Sequence, residues 1–241
     1  MTGIPVPGTA MIMAAGKGTR MMPLTANKPK PLVRVAGTTL LDHVLELLRD
    51  AGIGRIVVNV HYFPEQIEAH LAEYADDFDV AISDERDLLR DTGGGLIQAL
   101  PLIDADPFFC INADNWFADT KEHALVRMAQ AWDAARMDVL MLVVPFERAG
   151  NTQGQGDFDL DAEGHLSREG PKRARPYVWT GIQLLAKHVV CDPPSDVFST
   201  NVFWDRAIAA GRCYGLVHDG DWFDVGYPEA IAMTEARIGR G

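Results

Sequence analysis

Hydrophobic positions along this chain change period in a regular order. The run AMIMAAG (residues 10–16) is short, apolar and stopped by glycine, which predicts a buried strand opening into a loop. In LLDHVLELLRDAG the apolar residues Leu40, Leu41, Val44, Leu45 and Leu48 share one helical face, and Gly52 closes the helix. RIVVNV (residues 55–60) is β-branched and reads as a strand, and PEQIEAHLAEY as a helix opened by proline, with helical spacing at Ile67, Leu71 and Tyr74. DVAIS then predicts a strand, GGLIQAL the start of a helix, FFCINAD a strand ending in a polar turn, EHALVRMAQAWDAARM a helix and DVLMLVVP a strand.

Strands alternating with helices from Ala10 to Pro145 predict an α/β fold: a Rossmann-like, mostly parallel sheet with helices on both faces. After Asn151 the texture changes. GDFDLDAEGHL reads as a hairpin, a basic loop leads into the strand PYVWTGIQLL, NVFWDRAIAAG is a helix ended by Gly211, and RCYGLVHDGDWFDVG is a strand pair. There is neither a Ser/Gly-rich linker nor an internal repeat, so residues 1–241 are expected to form one domain. The second half adds strands to the sheet of the first. In such sheets ligands bind beyond the carboxyl ends of the strands, here Gly16 to Arg20, Asn59 to His61 and Asn112 to Asp114.

Charge narrows the ligand class. The formal net charge is -12, which disfavours nucleic acid and anionic membranes as partners. Against that background the cluster Lys17, Arg20, Lys28, Lys30 and Arg34 points to one particular small anion. Cys110, Cys191 and Cys213 form neither a C-x-x-C pair nor a zinc pattern, and each is expected to be a buried, reduced thiol. The first residues lack the features of a secretory leader, and no apolar stretch nears the roughly 20 residues of a membrane span, so a cytoplasmic protein is expected.

The loop after the first strand excludes two phosphate-binding signatures. A P-loop fails because its lysine would need a glycine five residues before Gly16, where Met11 stands. A dinucleotide fingerprint fails because Met21 occupies the place of its last glycine. What remains is a glycine loop whose N–H groups suit phosphate oxygens, with Lys17, Arg20 and Lys30 as cations. The run A-A-G-K-G-T-R-M, then L-T, then K-P-K-P-L-V resembles the signature of the sugar-nucleotide pyrophosphorylases, and the resemblance extends from Met11 to near Ala236. A T-G-G-G turn at Thr92 to Gly95, a G-D-F triplet at Gly156 to Phe158 and a D-V-G at Asp224 to Gly226 follow in family order.

That resemblance implies a glycosyltransferase-A-like nucleotidyltransferase fold, with residues 10–150 binding nucleotide and 151–241 binding sugar. It implies an enzyme that joins a nucleoside triphosphate, UTP favoured, to a sugar 1-phosphate and releases pyrophosphate. By the same resemblance Arg20 and Lys30 are catalytic, and Ala14, Ala15, Gly16, Lys17, Gly18, Thr19, Asp91, Thr92 and Gly93 bind nucleotide. Asn112, Gly156, Thr180 and Gly181 face the sugar, and Asp114 and Asp224 hold Mg2+. The attacking phosphate is already ionised, so no protein nucleophile is needed, and His61, His165 and His218 are expected to be structural. A monomer or homodimer is expected.

Two departures stand out. Where the family usually has glycine before the first metal aspartate, this chain has Ala113, and a positive φ there would strain it. Many relatives carry a Glu-Lys pair followed by proline in the second half. Here SREGPKRARP has no clear match, leaving Lys172, Arg173 and Arg175 as substitutes or as plain surface. Trp179, Trp204 and Trp222 are read as core or as a sugar or dimer surface. The alternatives are a mannose- or heptose-1-phosphate guanylyltransferase and, from another class, an inactive regulatory relative. Retention of Arg20, Lys30, Asp114 and Asp224 argues against the last.

Overall fold

The structure, a computed structural model, describes residues 3–118, 121–168 and 174–239. Side chains alternate across each central strand, so successive residues enter two different cores. In the strand Thr9–Met13, Ala10 and Ile12 join a cluster with Leu41, Val44 and Leu48 of the helix Leu40–Asp50 and Met128 of the helix Ala124–Ala131. Met11 joins the other, with Leu96 of the helix Asp91–Ala99 and Phe203 of the helix Asn201–Ala209. The predicted helices on both faces are therefore present. The Leu40–Asp50 helix starts on a capping box in which Thr39 and Asp42 each accept the other's backbone N–H. Among the described residues no helix is long and apolar enough to cross a membrane.

The central sheet has seven strands, in the order Cys213–Val217, Val139–Pro145, Tyr177–Leu185, Phe108–Asn112, Thr9–Met13, Arg55–Val60, Asp79–Asp84. Tyr177–Leu185 runs antiparallel to both its neighbours, and the remaining pairs are parallel. The second half thus completes the first half's sheet. The register of Tyr177–Leu185 against Val139–Pro145 breaks between Trp179 and Gln183. Gly181 sits in that break at φ 86°, where a Cβ would strike Asn115.

A small sheet stands beside it, with Asp221–Asp224 between Asn115–Ala118 and Ala149–Gly150. The two strands read as a pair in RCYGLVHDGDWFDVG do not pair with each other: Cys213–Val217 closes the large sheet and Asp221–Asp224 centres the small one. The hairpin in GDFDLDAEGHL does form, as Asp159–Leu160 against Leu166–Ser167. The helix expected through Met137 stops at Ala131. Trp132 turns to extended backbone and buries its ring in the core, and Asp133 then holds a turn by accepting the N–H groups of Ala135 and Met137. Cys110 and Cys213 are buried, and burial pushes both thiols up to about 12. Cys191 is exposed, contrary to expectation, because it lies in the irregular segment that follows the short helix Lys187–Val189.

Candidate active site

The glycine loop leaves the first strand at its carboxyl end. Gly18 takes the left-handed conformation (φ 61°, ψ 32°) and starts the short 3-10 turn Thr19–Met21. A Cβ on Gly18 would lie 2.9 Å from Lys30 Cβ, and Thr25 Oγ1 donates to the Gly18 carbonyl at 2.9 Å. Only glycine lets the loop close this tightly around Lys30. Gly16 differs, since a Cβ there would meet nothing within 4 Å. Ala14, Gly16, Gly18, Thr19, Arg20, Lys30 and Asp114 line one cavity of about 190 Å³. Lys17 is exposed on the same loop and lies outside this lining.

Lys30 is 7% exposed and its ammonium donates to Asp114 Oδ2 at 2.9 Å. Asp114 directly precedes the strand Asn115–Ala118, whose first residue pairs with Asp224 across the small sheet. That register brings two distant aspartates together. Burial pushes the Asp224 carboxyl above its usual range; Lys30 and Arg20 draw it down, while Asp114 and Asp157 repel it. Gly226 makes room, since a Cβ there would lie 2.8 Å from Asp224 Oδ1 and 3.3 Å from Arg20 Nη1. Two mutually repelling carboxylates beside a phosphate-sized cavity form a hard oxygen donor set. It suits Mg2+, which takes one or two carboxylates and completes its shell with waters and phosphate oxygens. The residues fit the ion. Ala113 is buried and is not among the residues at positive φ, so the expected strain does not arise; its N–H donates to the Met13 carbonyl.

A second cavity, of about 330 Å³, opens on the other side of the loop. Ala15, Gly16, Asp91, Thr92, Asn112 and Asp114 line it together with Asn59, Glu85, Leu89 and Val197. Asp91 sits at φ 58° and its Oδ1 accepts the Thr92 N–H at 2.6 Å. Gly93 does not face this cavity. Its N–H donates to the Phe198 carbonyl at 2.8 Å, and a Cβ would come within 2.5 Å of the Phe198 ring.

A third cavity, of about 270 Å³, joins Arg20, Asn112, Asp114, Gly181 and Asp224 to Thr152, Asp157, Trp179 and Trp222. Gly156 lines a larger neighbour of about 620 Å³, which also reaches Asp91 and Thr92. Thr180 is fully buried, contrary to its assignment to the sugar. Its hydroxyl donates to the Leu142 carbonyl at 2.9 Å, and its own carbonyl accepts from Asn115 Nδ2 and Trp222 Nε1. It sets the cavity wall rather than facing it. Trp204 and Trp222 are largely buried yet each lines one of these two cavities, and Trp179 lines both. Arg175 is buried and ion-paired with Asp159, a contact within the fold; Lys172 and Arg173 lie outside the described residues.

Several residues of these cavities escaped the sequence reading as site residues, Asp157, Asn59 and Glu85 among them. Asp157, inside the G-D-F triplet, forms a wall common to the 270 and 620 Å³ cavities and accepts the Trp179 N–H at 2.9 Å. Asn59 was visible as a strand end. Glu85 was not, because SDERD reads as a charged surface run while Glu85 itself is 0% exposed. The histidines make fold contacts: His61 Nδ1 meets the Glu85 carbonyl, His165 joins Asp161 to Tyr214, and His218 is buried edge-on to Phe117.

The site is thus a glycine loop with two cations facing two aspartates at strand ends. The chain belongs to the Nucleotidyl transferase family, whose model matches residues 9–239. It is 39% identical over 235 residues to the N-acetylmuramate alpha-1-phosphate uridylyltransferase of Caulobacter vibrioides, covering 96% of this chain and 97% of that protein. To the mannose-1-phosphate guanyltransferase of Neurospora crassa it is 29% identical, over 91% of this chain and 61% of that one. Among solved structures, HddC from Yersinia pseudotuberculosis complexed with GMP-PN superposes with a TM-score of 0.77 at 23% identity, covering 95% of this chain and 99% of that one. UDP-glucose pyrophosphorylase complexed with UDP-glucose gives 0.77 at 14%, covering 97% and 99%. Both share the fold.

Proposed function

We propose that this enzyme transfers a uridylyl group from UTP to N-acetylmuramate 1-phosphate, forming UDP-N-acetylmuramate and pyrophosphate, in cytoplasmic recycling of cell-wall sugar. The observation that carries the reading is the convergence of Arg20, Lys30, Asp114 and Asp224 on contiguous cavities. Near full-length similarity to the Caulobacter uridylyltransferase supports the choice of substrates. The guanyltransferase similarity supports GTP with mannose 1-phosphate as the second reading.

An oxygen of the sugar phosphate attacks the α-phosphorus, and the bond from that phosphorus to the bridging oxygen of pyrophosphate breaks. Arg20 grips the β- and γ-phosphates bidentately, while the loop N–H groups around Gly16 meet their oxygens. Lys30 exchanges its Asp114 contact for the sugar phosphate and the charge developing in transfer. Asp114 and Asp224 would hold Mg2+, whose charge, when bound, offsets the repulsion between the two phosphates. Catalysis is then positioning and charge stabilisation.

The test is pyrophosphate release with magnesium, crossing UTP and GTP against N-acetylmuramate 1-phosphate and mannose 1-phosphate. Turnover confined to UTP with the muramate sugar is expected. Turnover confined to GTP with mannose 1-phosphate moves the substrates and keeps the site. Silence in all four sinks both readings.

A further inference from the structure

Glu85 is a fully buried carboxylate, and burial pushes its pKa up. Two N–H groups converge on it. Asn59 Nδ2 donates to Oε1 at 2.7 Å, and the backbone N–H of Arg90 donates to Oε2 at 3.0 Å. On the other side of Asn59, its Oδ1 accepts the N–H of Ala14 at 2.7 Å. Asn59 is 2% exposed, so this chain of bonds runs without competition from solvent. Gly95 gives it space, since a Cβ there would lie 2.6 Å from Glu85 Oε1 and 3.0 Å from Asn59 Nδ2.

The two ends of the chain of bonds are informative. Ala14 is the first residue of the glycine loop, and Arg90 directly precedes the helix Asp91–Ala99. Both ends are donors. Asn59 must therefore turn its oxygen to Ala14 and its amide N–H to Glu85, and the group at position 85 must accept twice. A carboxylate has two acceptor oxygens, whereas a glutamine amide has one. This explains why a charge is buried here despite its desolvation cost.

We propose that Asn59 and Glu85 are a positioning pair for the nucleotide: they lock the glycine loop to the Asp91 helix and so fix the distance between the two segments that flank its cavity. The proposal rests on the reading above that these two segments bind the nucleoside triphosphate.

Exchanging the two groups tests it. Glu85→Gln leaves one donor without an acceptor, and Asn59→Asp sets two carboxylates against each other. Combining Asn59→Asp with Glu85→Gln restores every bond. The carboxylate introduced at position 59 accepts from Ala14 and from the new amide at position 85, whose oxygen accepts from Arg90, and the charge is conserved. For each single variant the KM for UTP and its Kd by calorimetry should rise about tenfold or more, as for loss of a hydrogen bond to a charged group, with the KM for sugar 1-phosphate unchanged. The double variant should return to within about threefold of the parent, as a strongly coupled pair requires. If the singles do not fold, the double variant and Gly95→Ala decide it. The first must bind UTP like the parent. The second, which pushes the pair apart without altering charge, must weaken UTP binding.

A double variant as impaired as the singles overturns the proposal. So does a loss of thermal stability in the singles with UTP parameters unchanged, the mark of a purely structural role. A parent chain that binds neither UTP nor GTP overturns the functional reading instead, and the proposal with it, so the two failures are told apart by the parent alone.

Discussion

Two glycine-rich turns border the 330 Å³ cavity, and Gly16 in one contrasts with the three glycines of the other. In A-A-G-K-G, Gly16 has open space where a side chain would stand and faces two cavities. In D-T-G-G-G every glycine is pressed by protein: Gly93 by the Phe198 ring, Gly94 by the Asp196 carbonyl and Gly95 by Glu85. Gly16 withholds a side chain beside open cavities, whereas Gly18, packed on Lys30, and the three glycines of D-T-G-G-G withhold theirs to admit the chain itself. Glycine counts alone cannot separate these uses, because both are close approaches of backbone.

The comparison is sharpened first at the cations of the ligand-facing turn. Arg20→Ala should lower kcat for pyrophosphate release by about 10²–10³, by analogy with loss of one oxyanion donor, with the melting temperature unchanged. In the chain-facing turn the effect should fall on stability. Gly94→Ala forces a methyl group against the Asp196 carbonyl and should destabilise by about 1–3 kcal/mol. Calorimetric melting would show this as a drop of about 2–4 °C for each kcal/mol. Gly16→Ala should do the reverse. It stabilises the fold by about 0.4–1 kcal/mol, since the native backbone there suits alanine, while raising the KM for UTP. A Gly16→Ala chain that melts early would break the contrast. Among the destabilising changes the smallest effect belongs to a contact that docks the 192–200 segment: Thr200→Val removes its hydroxyl from Thr92 Oγ1 and should cost about 0.5–1.5 kcal/mol in chemical denaturation.

Much of the fold was legible because strand and helix periods are local properties of the chain. The strands Thr9–Met13, Arg55–Val60, Asp79–Asp84, Phe108–Asn112 and Val139–Pro145 and the face of the Leu40–Asp50 helix needed nothing else, whereas the short strand Asn115–Ala118 was not read. Sheet partnership is not local. RCYGLVHDGDWFDVG looks like one hairpin because both strands are apolar and a D-G turn separates them, yet each finds a better neighbour elsewhere. At the site, residues defined by charge beside glycine stood out, whereas Glu85 hid among exposed acids and Thr180 was misassigned. For those two, direction of burial decided the role, and that depends on which segments pack above the strand.

The inserted strand Tyr177–Leu185 has a consequence for how the chain is made. Thr9–Met13, Arg55–Val60, Asp79–Asp84 and Phe108–Asn112 can pair in the order in which they leave the ribosome. Val139–Pro145 cannot join them directly, because its place in the sheet lies one strand away. It must wait, apolar and without a neighbour, until residues 177–185 are synthesised and fill the gap. Asp224 arrives later still, so the nascent enzyme can complete its large sheet before it acquires its second carboxylate.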